Sequence, residues 1–517
     1  MLTSDPRESL VLPELVGSMA LVADLAMGHP LEQGLGACLV AGRVGELVGL
    51  RPDERDRVFY LTLLRHIGCT TESASVARWF GDEIRLAGEL TAMTGSSTNE
   101  YLWAIGKFAV TGRSPVGAGR ALGRAAAGLR GLPALTRAIC EVATTLAGRM
   151  GLGERVAAEI GMVYERWDGK GMPRGCAGET IPLTVRVAQV ADLLAATHDL
   201  GHPDPGAVLA ERAGTAFDPA VVEVVRRHEV ELRGELDSPS RWDAVQRRRP
   251  VTAPMSGAEL DDALGAVADF VDLKSPHLSG HSSGVAALAA RAAEGLRLTP
   301  ADVTDIRHAA LVHDLGRVAV SSAVWDKPGQ LSAGEWEAVR LHPYHTERLL
   351  GRAPFLARLA PLAGAHHERL DGSGYFRSGG LPGVGAQVLA AADAYHAMRE
   401  VRPHRPALDA RTAASTLRAE ARSGRLAGTA VEAVLTAAGH PARARTRHAA
   451  GLTDRELQVL RLIALGRSNR EVARELAIAP KTAGNHIQSI YEKAGVGSRA
   501  AATLFAMQHG LVDPLRS

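Results

Sequence analysis

The chain has 517 residues, with 59 Lys+Arg against 57 Asp+Glu and a formal net charge of +2. That near-balance excludes a polycation, so any nucleic-acid surface must be local. Hydrophobic content of 46% and charged content of 22% fit a soluble globular protein, and the length suggests about three domains. The four cysteines, Cys38, Cys69, Cys140 and Cys176, form no C-x-x-C pair, and a disulfide framework does not suit a chain of this length. Residues 1–15 carry Asp5, Glu8 and Glu14 and no apolar core, so no signal peptide is predicted. No run of about 18 apolar residues predicts a membrane span. The expected setting is the cytoplasm, without membrane contact.

From about residue 10 to 235 the chain reads as helix after helix. Apolar positions recur at helical spacing over 40–50, 58–67 and 184–196. Alternating β-branched runs bounded by turn pairs are scarce. The segment 82–132 is rich in Gly, Ala and Ser with a weaker period and reads as an insertion between helices. Residues 237–256 are polar, basic and punctuated by proline, and read as a linker. A second helical block fills 257–438, a short basic linker 439–450, and a compact block 451–517. The predicted fold class is all-α.

The first two blocks look like tandem copies. Tyr164-Glu-Arg-Trp-Asp-Gly-Lys-Gly-Met-Pro173 lines up with His367-Glu-Arg-Leu-Asp-Gly-Ser-Gly-Tyr-Phe376. Downstream, Arg186–Asp192 lines up with Gln387–Asp393. Upstream, Leu64–Gly68 lines up with Val312–Gly316.

In the second block His281, His313, Asp314, His342, His366, His367 and Asp393 fall at positions suited to metal ligation. Imidazole and carboxylate together suit Fe, Mn, Zn or Ni, and the absence of Cys argues against a structural zinc site. Side by side on a helix, His313 and Asp314 point about 100° apart, so two metals can share Asp314 as a bridge. Seven N/O ligands exceed the needs of one tetrahedral ion and match a two-metal centre, whose chemistry is phosphoester hydrolysis. A lone histidine in a helical domain is far more often a surface or satisfied core residue. Seven such residues in this order are read together.

His313-Asp-Leu-Gly-Arg317, His342-Pro343, His366-His-Glu-Arg-Leu-Asp-Gly-Ser-Gly-Tyr375 and Asp393 resemble the HD-GYP subgroup of HD-domain phosphohydrolases over about 260–438. The resemblance implies an all-helical domain and a centre of two divalent metals, Fe or Mn first, with room for a third. It implies hydrolysis of cyclic di-GMP or a related cyclic dinucleotide. It also assigns Arg317, Asp371 and Tyr375 to catalysis or substrate binding. His277, four residues before His281 and one helical turn away on the same face, stands where some members carry a Glu that helps bind a third metal; the plainer expectation is an exposed histidine. Three departures bear on the substrate. Arg317 replaces the usual Lys, Phe376 replaces the proline of Gly-Tyr-Pro, and the following loop 377–383 is short. In the first copy Arg65-His66 and Val163-Tyr164 replace the ligand pairs, Gln33 is nearest to His281, and Asp192 alone survives. The reading for 1–236 is therefore a degenerate HD-type domain without metal.

The block 451–517 has nine Lys/Arg against six Asp/Glu. Thr453 with Glu456 predicts a capping box, Ser468 or Asn469 caps a second helix, and Pro480 opens a third. Gly466 and Gly495 end helices. Short helices around a tight turn predict a helix-turn-helix whose third helix reads DNA through Lys481, Thr482, Asn485, His486, Ser489 and Lys493. Leu452-Thr-Asp-Arg-Glu456, Ser468-Asn-Arg-Glu-Val-Ala473 and Lys481-Thr482 with His486 resemble the LuxR-type (NarL/FixJ-like) DNA-binding domain, a four-helix module. That resemblance implies dimeric binding to double-stranded DNA. The combined expectation is a homodimeric transcriptional regulator carrying a metal-dependent phosphohydrolase domain. The alternative is a pair of catalytically silent HD domains that sense a ligand or dimerise.

Overall fold

The structure is a computed structural model that describes residues 9–92, 98–111, 114–377, 383–439, 452–476, 478–509 and 511. All but the first residue of the linker expected at 439–450, and most of the loop 377–383, lie outside the described residues. Those residues form helices, with only isolated β-bridges besides. No described helix is long and apolar enough to cross a membrane. The chain divides into two compact units, Met1–Glu259 and Leu260–Ser517.

In the first unit, helices Gln33–Leu47, Pro52–Leu63 and Leu183–Asp199 pack together. Their shared face holds Val40, Val44, Val58, Val187, Val190 and Leu194, all fully buried. Each such side chain contributes roughly 1.5–3 kcal/mol by leaving water. Two expectations change here. Residues 237–256 are more than a linker: Ser240 caps the helix Arg241–Arg247, and Trp242 is buried against Gly17. The segment 82–132, read as an insertion with a weak helical period, is itself helical. It forms helices Glu83–Ala92 and Thr98–Val110 and the first half of Pro115–Arg149, with an apolar cluster of its own around Phe80, Ile105 and Ala121. Its glycines hid the helical period because two of them make room for aromatics. A Cβ on Gly128 would lie 2.8 Å from Phe80, and one on Gly131 would lie 2.8 Å from Trp79.

In the second unit, helix His281–Gly295 packs on Pro300–Val312, Gly383–Met398 and Gly428–Ala438. Its alanines Ala289, Ala292 and Ala293 are fully buried, and such small side chains let neighbouring helices approach closely. The C-terminal module is four helices, Asp454–Ala464, Asn469–Glu475, Pro480–Ala494 and Arg499–Gln508, around Val459, Leu460, Val472, Ala483 and Ile490. Thr453 and Ser468 each form a capping box, with Glu456 and Glu471. Gly495 ends the third helix in the left-handed conformation at φ 67°.

The two units repeat the same local devices. Helices Gln33–Leu47 and His281–Gly295 both follow a left-handed residue, Glu32 at φ 73° and Gly280 at φ 76°. In each, a buried aspartate accepts a backbone N–H ten residues on: Asp24 from Gly34 at 3.2 Å, Asp272 from Ser282 at 2.9 Å. In each, a buried glutamate accepts one nine residues on: Glu165 from Arg174 at 2.7 Å, Glu368 from Arg377 at 2.6 Å. These devices place Gln33 and His281 at equivalent points.

Candidate metal centre

Helix ends build the centre in the second unit. His313 caps the C-terminus of Pro300–Val312, and Asp314 opens the 3-10 turn Leu315–Ala319. The pair therefore sits at a helix end and not within a helix, as its spacing had suggested. His366 lies just past the helix Pro354–Ala363, and His342 just past Ala333–Arg340. The last carbonyls of a helix lack intrahelical partners, and here histidine rings use them. His313 Nδ1 lies 2.7 Å from Ala310 O, His342 Nδ1 2.6 Å from Val339 O, and His366 Nδ1 2.7 Å from Ala363 O. A carbonyl can only accept, so each Nδ1 carries the proton and each Nε2 presents a lone pair.

Those Nε2 atoms converge on Asp314. Its Oδ1 lies 3.4 Å from His342 Nε2 and 3.5 Å from His366 Nε2. Its Oδ2 lies 3.1 Å from His313 Nε2 and 3.5 Å from His281 Nε2. Asp393 Oδ1 lies 3.2 Å from His281 Nε2, and its Oδ2 lies 3.9 Å from His367 Nδ1. All seven predicted ligands are thus brought together, six of them buried and His367 partly so.

Burial would raise the Asp314 and Asp393 carboxyls, but their neighbours win and both are held well below the usual carboxylate range. For Asp314 the counterweights are Arg317 and His313; for Asp393 they are His281 and His367. Burial pushes His366 down to about 4 and His367 well down, aided by neighbouring rings. The cluster is therefore two carboxylates with His366 and His367 held neutral, while for His281 burial is outweighed by Glu400 and the two aspartates, which raise it well above the usual histidine range. His281 Nε2, His313 Nε2, both Asp314 oxygens and Asp393 Oδ1 are buried without a hydrogen bond. Orphaned buried groups of this kind are costly, and a cation coordinated by N and O donors satisfies all of them at once. The residues fit a metal.

The other predicted residues divide. Arg317 is buried with its Nε 2.9 Å from Asp314 Oδ2 and its guanidinium 5.2 Å from the Trp325 ring centroid. Tyr375 lies against His367, ring centroids 4.7 Å apart. Asp371 is not brought to the centre. It is exposed and accepts from Ser373 N and Oγ at 3.0 and 2.6 Å, holding the turn. His277 sits in a separate 3-10 turn, Pro276–Leu278, and Gly280 breaks the helical register before His281. Among the described residues, no candidate metal-holding group includes His277.

Three residues escaped the sequence reading. Trp325 holds Arg317 from the ring side and by Nε1–H to its carbonyl at 3.1 Å. His396 and Glu400 stand behind His281. The spacing of His396 and Glu400, i and i+4, carried a signal that the family pattern did not use.

In the first unit the equivalent cluster is closed by an ion pair. Arg65 Nε lies 2.9 Å from Asp192 Oδ2, His66 Nε2 lies 3.2 Å from Oδ1, and Arg65 Nη1 donates to Val163 O at 2.7 Å. A guanidinium supplies the positive charge next to the one surviving ligand position.

On the third helix of the C-terminal module, Lys481, Thr482 and Asn485 are exposed and His486 is half-buried. Ser489 and Lys493 point elsewhere. Ser489 Oγ donates to Glu456 at 2.6 Å, and Lys493 Nζ pairs with both Glu456 oxygens at 2.8 and 2.7 Å. They tie the third helix to the first because the capping-box carboxylate lies one helix away.

Comparisons with known proteins agree with this division. The HD domain family matches residues 134–221 and 265–429, and the family of bacterial regulatory proteins, luxR family, matches 450–506. The chain is 32% identical over 415 residues to 3'3'-cGAMP-specific phosphodiesterase 3 of Vibrio cholerae, covering 78% of this chain and 89% of that protein. A crystal structure of a cyclic GMP-AMP specific phosphodiesterase of V. cholerae (V-cGAP3) matches with a TM-score of 0.57 at 25% identity, over 84% of this chain and 99% of that one. The C-terminal module is 48% identical over 62 residues to the probable transcriptional regulatory protein NarL of Mycobacterium tuberculosis, 12% of this chain and 29% of that protein. The chain belongs to the HD-GYP-type HD-domain phosphohydrolases, joined here to a C-terminal LuxR-type DNA-binding domain.

Proposed function

We propose that the second unit hydrolyses a cyclic dinucleotide with two divalent metals, and that the C-terminal module couples this to double-stranded DNA. The observation that carries the reading is the division of labour at Asp314: one carboxylate oxygen faces His342 and His366, the other faces His313 and His281. Asp314 therefore stands between two ligand sets, each of which would hold one metal. Asp393 and His367 complete the sets. Histidine and carboxylate without cysteine suit Fe or Mn. Two such metals, when bound, neutralise charge on a phosphoryl oxygen and lower the pKa of an attacking water.

The protein supplies the rest. Arg317, packed on Trp325, is already oriented at the centre, and a guanidinium can hold a phosphoryl oxygen bidentately. Tyr375 presents an aromatic face next to His367 on which a nucleobase can stack. The relatives named for 3'3'-cGAMP and cyclic di-GMP identify the first substrates to try. Lys481, Thr482, Asn485 and His486 contact DNA from the third helix, whose N-terminal turn enters the major groove. The module binds as a homodimer on paired half-sites.

The test is turnover of 3'3'-cGAMP and cyclic di-GMP by protein reconstituted anaerobically with Mn²⁺ or Fe²⁺. Release of linear dinucleotide is the expected result. Full metal loading with neither substrate cleaved nor bound would reject the substrate class.

A further inference from the structure

His281 is the odd member of the histidine set. Its companions His313, His342 and His366 follow helix C-termini and find a carbonyl for Nδ1. His281 opens its helix as His342 does, but left-handed Gly280 precedes it, where His342 directly follows the end of Ala333–Arg340 and borrows its carbonyl. A helix N-terminus presents N–H groups and no free carbonyl, so its Nδ1 needs an acceptor from elsewhere. Glu400 provides it: Glu400 Oε1 lies 3.0 Å from His281 Nδ1. The same oxygen lies 2.9 Å from His396 Nδ1. The other carboxylate oxygen pairs with Arg402. His281, His396 and Glu400 are at most 2% exposed.

The helix is shaped to admit this arrangement. A Cβ on Gly284 would lie 2.0 Å from His396 Nε2. A residue poorly suited to a helix interior therefore stands where the His396 ring has to lie. We infer that Glu400, clasped by His396 and Arg402, is the positioning residue that fixes the tautomer and aim of the metal ligand His281. With Nδ1 held by the carboxylate, Nε2 is the ring atom turned toward Asp314 and Asp393 and left to bind a metal. Carboxylates that orient a metal-bound imidazole in this way tune affinity by about 10–100-fold.

The inference rests on the reading of His281 as a ligand, and its test separates the two. Mn²⁺ affinity and stoichiometry of the full-length chain are measured by competition with a chromophoric chelator. Glu400→Gln is expected to weaken the tightest site by about 10–100-fold with unchanged stoichiometry. His396→Leu weakens it in the same sense. His396→Asn, whose amide can replace the Nδ1 donor, retains most of the affinity. The His396 pair keeps the test decisive if Glu400→Gln does not fold. Unchanged affinity in Glu400→Gln and His396→Leu overturns the positioning role. Loss of one metal equivalent in Glu400→Gln also overturns it, by making Glu400 a ligand. A wild-type chain that takes up no Mn²⁺ rejects the metal centre itself.

Discussion

His342 Nε2 and His366 Nε2 face each other at 3.1 Å, with both Nδ1 protons already committed to backbone carbonyls. With Nδ1 engaged on each ring, the two Nε2 atoms at that distance either share a proton or need a metal cation against them. The protein therefore holds a preformed set of N and O donors, and metal binding should stabilise it. Adding Mn²⁺ to metal-free protein should stabilise the second unit, by about 2.7 kcal/mol at a hundredfold excess over Kd, and so raise its melting temperature in a concentration-dependent way. Calorimetry showing no shift at saturating metal would count against the site.

Arg317 should act on chemistry and not on metal uptake. Its guanidinium is oriented by Trp325 and lies beside Asp314. Arg317→Ala should lower kcat by roughly 10²–10³, the usual loss for one donor to a developing charge, with metal content unchanged. Trp325→Leu should reproduce a smaller part of the same loss. Steady-state kinetics alongside metal analysis checks both.

The degenerate first unit should respond to pH in a defined direction. Burial would lower His66, yet Asp192 raises it from 6.5 to about 10. Its stabilising contribution is full below about pH 6.5 and is lost as pH rises toward about 10. Burial raises the Asp24 carboxyl from 3.8 to about 8, so its contribution falls earlier, as pH rises from about 3.8 to about 8. Thermal melts of the first unit should therefore decline as pH rises, and Asp24→Asn should make the decline shallower below about pH 8 while leaving the alkaline limb to His66. A profile identical in the variant between about pH 4 and 8 would contradict the Asp24 assignment. Arg65→Ala should cost about 3 kcal/mol by leaving Asp192 short of a partner, read as a lowered denaturant midpoint.

The third helix of the C-terminal module separates reading from anchoring. Lys481→Ala should weaken DNA binding across sequences and reduce the salt slope by about 1. Lys493→Ala, which releases Glu456, should instead lower the melting temperature of the module. Fluorescence anisotropy at several salt concentrations, with melts of the same variants, tells the two apart.

Much of this was legible in the sequence because metal ligands and helix caps are stated by residue type. The order His281, His313-Asp314, His342, His366-His367, Asp393 survives in one dimension, and Thr453 with Glu456 marks a helix start wherever it occurs. Residues whose role depends on a partner far away in sequence were not legible. Glu400 is just another glutamate until it lies 3.0 Å from His281, 119 residues before it. Ser489 and Lys493 share a face with Asn485 in a helical projection, but Glu456 claims them. His277 looked one turn from His281 because a left-handed glycine between them cannot be seen in spacing. Asp371 belongs to the motif, yet its side chain serves the turn. The linker expected at 237–256 hid a helix because proline and arginine at its edges outweighed one buried tryptophan.

The central claim is that the second unit would hold two metals in the ligand sets on either side of Asp314, and metal stoichiometry tests it most directly. Anaerobically purified full-length protein should carry about two transition-metal ions per chain, the number a bridging carboxylate implies, and His313→Ala combined with Asp314→Ala should carry none while the first unit still melts normally. Absence of metal in the wild type, or full metal retention in the double variant, would contradict it.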